Sequence, residues 1–251
     1  MDLTAFVFLA PFVFVALVLW VATRTARRYR EQAQGQLAAD AAARGWTFES
    51  STEGLFDLHR WSGQTEGHHW TAEYRRGRHR KSSGHTRTHR LRWWTDGFGG
   101  PSTPILLIGV PRGKELPALQ LAEGDGLLAT MAQKAAGFAL DKALDVHFGE
   151  EAGRQIDARG LRMVEGAGLP GFLPMAVDVA QARFWCDQPA HRQALQTQVG
   201  DAASAFSSEQ DRPWVLLLGR RLTLAQSVPV RSTADLERLV RAGVVLAEAF
   251  R

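Results

Sequence analysis

Between Leu3 and Thr23 the chain reads LTAFVFLAPFVFVALVLWVAT, an apolar run without a single charged residue. A helix of that length rises roughly 30 Å, the thickness of a bilayer hydrocarbon core. A soluble core helix keeps a polar face over such a length, and this run has none. A cleaved signal peptide would need a basic start, a shorter apolar core and a small-residue cleavage site. Here Asp2 precedes the run and no Lys or Arg does. The pattern therefore predicts a retained transmembrane anchor over residues 1–23, with Pro11 tolerated inside it. Arg24, Arg27, Arg28 and Arg30 follow the run. The positive-inside rule then predicts an outside N-terminus and a cytoplasmic C-terminal part. Trp20 and Tyr29 suit the inner headgroup level.

Past the span, residues 24–44 are rich in Ala, Gln, Arg and Glu and lack Pro. They predict a juxtamembrane helix ending at Gly45, with Gly35 its weak point. Residues 45–150 then read as a β-rich lobe. Short strands are expected at Trp46–Phe48 and Leu55–Trp61, and a hairpin with arms 68–75 and 87–94 joined by a long basic loop. Ile105–Val110 is continuously apolar, the mark of a strand buried on both faces. A helix is expected from Gly126 to His147, with Leu127, Leu128, Met131, Ala135, Phe138 and Val146 on one side.

Residues 151–251 predict a second lobe in the order β-α-β-β-α, its helices on one sheet face. Ala176–Cys186 reads as a strand. Asp187 and Pro189 read as the cap and first turn of a helix to about Val199. Trp214–Leu218 and Leu222–Ala225 read as strands around Gly219. Ser232 to Asp235 has capping-box spacing. The helix that follows places Leu236, Leu239, Val240, Gly243, Val244, Ala247 and Phe250 on one face. The fold class expected is thus α+β: an N-terminal transmembrane helix, then one or two lobes of small, mainly antiparallel sheet with packed helices.

The segments AxARGWTF, RFWCDQPAHRQAL, WVLLLGRRLTL and STADLERLVRAGVVLAEAF resemble a loose group of uncharacterised bacterial single-pass membrane proteins with a soluble α+β domain. The resemblance lies in the layout of most of the chain. It implies a membrane-anchored α+β domain and transfers no activity and no functional residue.

Charge adds one local feature. The chain carries +4 overall. Residues 75–92, RRGRHRKSSGHTRTHRLR, hold eight cations and no acid, so the rest of the chain is net −4. Arg75, Arg76, Arg78, Arg80, Lys81, Arg87, Arg90 and Arg92 are therefore the candidate anionic-surface contacts. Beside a membrane span they suit anionic lipid headgroups; the same charges, with Tyr74, Trp93 and Trp94 for stacking, suit nucleic-acid phosphate. A solvated loop is the plain alternative. Six of the eight histidines (His59, His68, His69, His79, His85 and His89) fall in this region. Their spacing lacks zinc-site pairs, and the expectation is polar residues on a wet hairpin face, with no metal.

No other motif carries chemistry. Gly166-Ala-Gly168-Leu-Pro-Gly171 matches G-x-G-x-x-G literally, but prolines follow where a helix would be needed, so it predicts a turn. Asp141 and Asp145 stand one helical turn apart beside His147 and read as solvent-facing. The single cysteine, Cys186, reads as a buried structural thiol. No catalytic residue and no cofactor is expected. The leading expectation is a membrane-anchored cytoplasmic domain for scaffolding or for binding a protein partner. The alternatives are a membrane-tethered nucleic-acid binder and an enzyme with a dispersed site.

Overall fold

The computed structural model describes the backbone of residues 3–54, 56–81, 84–110, 127–149, 154–167, 169, 171–197, 212–230 and 232–251. It describes their side chains too, except at 3–16, 26, 30, 78–81, 84–88 and 127–136. Helix α1 (Leu3–Ala42) runs for 40 residues, about 60 Å at the usual rise. It passes Gly35 unbroken and ends three residues before Gly45, which takes φ +72° in the turn into the sheet. Among the described residues no helix is long and apolar enough to cross a membrane; the side chains of residues 3–16, most of the apolar run, lie outside that description. Leu17, Val18, Leu19, Trp20 and Val21 are each about half exposed. Helical neighbours lie about 100° apart, so these five consecutive side chains face outward all round the helix.

One antiparallel sheet organises the rest. Its nine strands lie in the order β1-β2-β3-β4-β9-β8-β5-β7-β6. β1 (Thr47–Glu53), β2 (Phe56–Thr65), β3 (His68–Lys81) and β4 (Gly84–Asp96) form a meander of successive hairpins. The chain then crosses the turn between β8 (Trp214–Leu218) and β9 (Arg221–Gln226) before entering β5 (Ile105–Gly109). A Cβ at Gly100 would stand 2.1 Å from the Gly219 carbonyl oxygen, so only glycine permits that crossing. β5 pairs with β7 (Phe172–Ala176) on one side and β8 on the other, and β6 (Arg162–Met163) closes the edge. Strands of residues 45–150 and 151–251 therefore pair directly, β4 with β9 and β5 with β7 and β8.

Strand side chains alternate between faces, and here each face has its own core. The first holds Trp61, Trp70, Leu91, Trp93, Ile105, Leu107, Val215 and Leu224. Helices α3 (Val179–Cys186), α4 (Pro189–Leu195) and α5 (Thr233–Ala249) cover it, and Ala41 of α1 reaches its rim. The second holds Leu106, Ile108 and Leu216 under Leu144 and Phe148 of α2 (Leu127–Phe148). The three later helices thus share one face; the order β-α-β-β-α predicts two of them, α4 and α5, and not α3. β5 is buried at all five positions because both faces are covered. The α5 stripe Leu236, Leu239, Val240, Gly243, Val244, Ala247 and Phe250 is buried throughout, behind a capping box of Ser232 and Asp235.

Several expectations change. Val179–Cys186 is a helix rather than a strand. Asp178 caps it by accepting from the Gln181 amide at 2.9 Å, and Ala182, Trp185 and Cys186 turn inward at helical spacing. A short apolar run fits either period, and the cap decides. The strand lies just upstream, through Pro174 in β7. The N-cap of α4 is Gln188, not Asp187, with Pro189 at its first position. Among the described residues of α2 the buried side chains are Leu144 and Phe148, while Phe138 is 71% exposed; the side chains of Leu127, Leu128, Met131 and Ala135 lie outside the described residues. The basic segment is mainly strand, not loop: β3 and β4 pair as far as Lys81 and Gly84.

Candidate anion-contact site

The hairpin β3–β4 carries all eight candidate cations. Its place in the molecule follows from register. Ser50, His59 and Tyr74 are successive partners across β1, β2 and β3. Gln34 of α1 donates to the Ser50 hydroxyl at 3.0 Å, so β1 runs back along α1 toward its N-terminal end. β1 and β2 stop at Glu53 and Phe56, the latter level with Gly77. The β3–β4 hairpin continues four residues further, about 13 Å beyond its neighbours. From Tyr74 to Lys81 the strand advances about 23 Å, which equals about fifteen helical residues counted back from Gln34. By these rises the hairpin end is level with about Leu19, and the Arg78–Arg87 pair with about Thr25.

The cations divide into three groups. At the root, Arg76 pairs with Asp57 at 2.8 Å and Arg75 with Glu53 at 2.6 Å. Arg92 pairs with Glu73 and also donates to the Phe148 carbonyl at the end of α2. Glu73, buried, takes a second guanidinium from Arg60 at 3.0 Å. Burial raises the Glu73 pKa, but Arg92 and Arg60 outweigh it and hold the carboxyl below its ordinary value. Arg90 forms the second group alone. It is half-buried directly across from Arg75, and burial followed by repulsion from Arg75 and Arg92 lowers its pKa. The third group is Arg78, Arg80, Lys81 and Arg87, whose side chains lie outside the described residues. Their backbone register pairs Arg78 with Arg87 and Lys81 with Gly84.

The expectation of a wet histidine face is corrected. His68 is buried and bonds Glu248 of α5. His59 stacks between Phe48 and Tyr74, with ring centroids 5.7 and 6.2 Å away. His89 accepts from or donates to the Tyr74 hydroxyl at 2.6 Å and stacks on the same ring. These rings form a ladder across β1–β4 on the face toward α1, where alternation sends them inward. His69 is exposed, and the side chains of His79 and His85 lie outside the described residues. Among the described residues no group of three His, Cys, Asp or Glu side chains could hold a metal ion.

Elsewhere the geometry assembles little chemistry. His147 stacks on Trp214 with centroids 4.2 Å apart, and burial, then the Arg90 charge, push its pKa down to about 4. Asp141 is exposed. Cys186 is buried, and burial followed by the Asp187 charge raises its thiol to about 12, far from a nucleophilic thiolate. Gly166 and Gly171 take φ +70° and +82° in turns, while Gly168 and Pro170 lie outside the described residues. A cavity of about 550 Å³ beside them is lined by Met163, Val164, Leu169 and Phe172, with Glu165 as its single titratable lining group. Sequence reasoning missed the acids Glu53, Asp57 and Glu73 that pair with Arg75, Arg76 and Arg92 at the root. The available signal was register, because Glu73 falls opposite Arg92 only when the strands extend through the basic segment.

The chain matches no protein-family model, no curated protein and no solved structure.

Proposed function

We propose that the chain is a single-pass protein of a bacterial inner membrane, with Leu3–Thr23 as its span and the α+β domain on the cytoplasmic side. There the domain serves as a scaffold for a protein partner, and the outer end of the β3–β4 hairpin lies on anionic headgroups. The observation that carries this reading is the overhang of the hairpin. The backbone of its four outer cations lies past β1 and β2, level with about Leu19 to Thr25 and so beside Arg24, where two sets of basic residues would meet one headgroup layer. Each cation at such a surface contributes about 1 kcal/mol. The all-round exposure of Leu17–Val21 supports the same placement, since hydrocarbon removes the cost of leaving them in water. Orientation rests on the arginines C-terminal to the span.

The test is hydrogen exchange on the full chain in nanodiscs of neutral lipid or of lipid with an anionic fraction. Anionic lipid is expected to slow exchange at residues 78–87, and high salt is expected to remove the protection. Equal exchange in both lipids would refute the headgroup contact. Protection by added single-stranded nucleic acid in neutral discs, and none by lipid, would replace it with nucleic-acid binding.

A further inference from the structure

The root of the hairpin presents an imbalance that the lipid reading does not use. On the face toward α2, Arg75 and Arg90 are direct cross-strand partners and Arg92 follows two residues along. Like charges directly opposite are destabilising. Four arginines gather here (Arg60, Arg75, Arg90 and Arg92) against three carboxylates on this face, Glu53 and Glu73, which form ion pairs, and Glu49, which stands opposite Arg60. Arg90 has no acid partner among the described residues, and the Arg75 Nε is buried without an acceptor. His147, which faces Arg90 from α2, is neutral at pH 7 and offsets nothing. The one carbonyl at the end of α2 aimed at this cluster, Phe148 O, is already taken by Arg92. A half-buried guanidinium beside a second one whose Nε is buried without an acceptor is costly unless an anion completes the set.

We infer that the root of the hairpin, at Arg75, Arg90 and Arg92, is a binding site for a phosphomonoester group. The local charge excess favours an anion, and several oxygens on one centre satisfy two guanidinium edges at once, as a single carboxylate does less well. Arg75 keeps 35% of its side chain exposed and Arg92 23%, so the group reaches them from solvent. The site is about 20 Å from the hairpin end by strand rise, and it stands apart from the lipid contact proposed there. The phosphomonoester arrives either on a small soluble molecule or on a lipid headgroup.

Titration of inorganic phosphate into the full chain in neutral detergent micelles, at fixed ionic strength in chloride, tests the site. Saturable binding is expected, weakened at least tenfold in Arg90→Ala and unchanged in Arg241→Ala, which removes an equal charge from the exposed face of α5. Neutralising Arg78, Arg80, Lys81 and Arg87 is expected to leave phosphate binding intact, which separates this site from the outer end. A second readout guards against mere misfolding: without phosphate, Arg90→Ala melts higher than the parent, and phosphate raises the melting temperature of the parent alone. In a parallel arm, micelles doped with short-chain phosphatidic acid identify a lipid source if they displace phosphate in the parent. Failure to displace identifies a soluble one. Absence of saturable phosphate binding, or equal binding by Arg90→Ala, overturns the inference.

Discussion

At single residues, close packing sets sharp demands. A Cβ on Gly243 would stand 2.5 Å from the ring of Trp93, a fully buried side chain at the centre of the first core. Helix propensity alone favours alanine there by about 1 kcal/mol. Overpacking a closed core costs about 1–3 kcal/mol, and in this setting it wins. Gly243→Ala is expected to lower the melting temperature followed by tryptophan fluorescence, and a rise would show that Trp93 yields easily. The periodicity of α5 placed Gly243 on the inner face, but nothing in the sequence paired it with Trp93, because that contact joins two elements far apart in the chain. His147 behaves similarly. Burial and Arg90 hold it to about 4 in the folded protein against 6.5 unfolded. The unfolded chain therefore takes up the proton first, and stability falls as pH drops from about 6.5 toward 4, by roughly 3 kcal/mol. His147→Phe keeps a ring on Trp214 and is expected to remove that part of the acid slope. Parallel denaturation curves at each pH for both proteins would contradict it.

At the scale of elements, legibility followed the strength of the local signal. The α5 stripe with its capping box, the buried strand β5 and the β8–β9 pair around Gly219 were all readable, because period and turn chemistry agree in each. Helix α3 was not, since its eight residues fit a strand equally well and only the Asp178 cap decides. The hairpin misled for a different reason. Charge density argued for a loop, whereas pairing extends through it because Glu53 and Asp57 on neighbouring strands and Glu73 within β3 pair with arginines at its root. Glu73 is the strongest of these links, bridging Arg60 of β2 and Arg92 of β4 from a buried position in β3. Removing its charge strands two guanidiniums. Glu73→Gln is expected to cost roughly 3–5 kcal/mol, more than Glu53→Gln, whose pair with Arg75 is half exposed. Equal losses in urea denaturation would mean that the bridge does not hold the hairpin.

For the whole molecule, the decisive relation is between α1 and the sheet. Neither was enough alone: the apolar run is plain in the sequence, and the basic segment is too, but their relative height depends on β1 folding back along α1 and on β3–β4 outrunning β1–β2. That arrangement is a product of register and cannot be read from composition. The same geometry sends the turn at Glu66–Gly67 to the opposite end of these strands from the β3–β4 hairpin end. The buried thiol of Cys186, with its pKa near 12, leaves an introduced cysteine as the reactive one. The most direct measurement is therefore proximity to lipid, read from a fluorophore on Ser82→Cys and, separately, on Glu66→Cys, in the full chain in anionic nanodiscs carrying headgroup quenchers. The account predicts strong, salt-sensitive quenching at 82 and little at 66. Equal quenching at the two sites, or quenching at 66 alone, would contradict it.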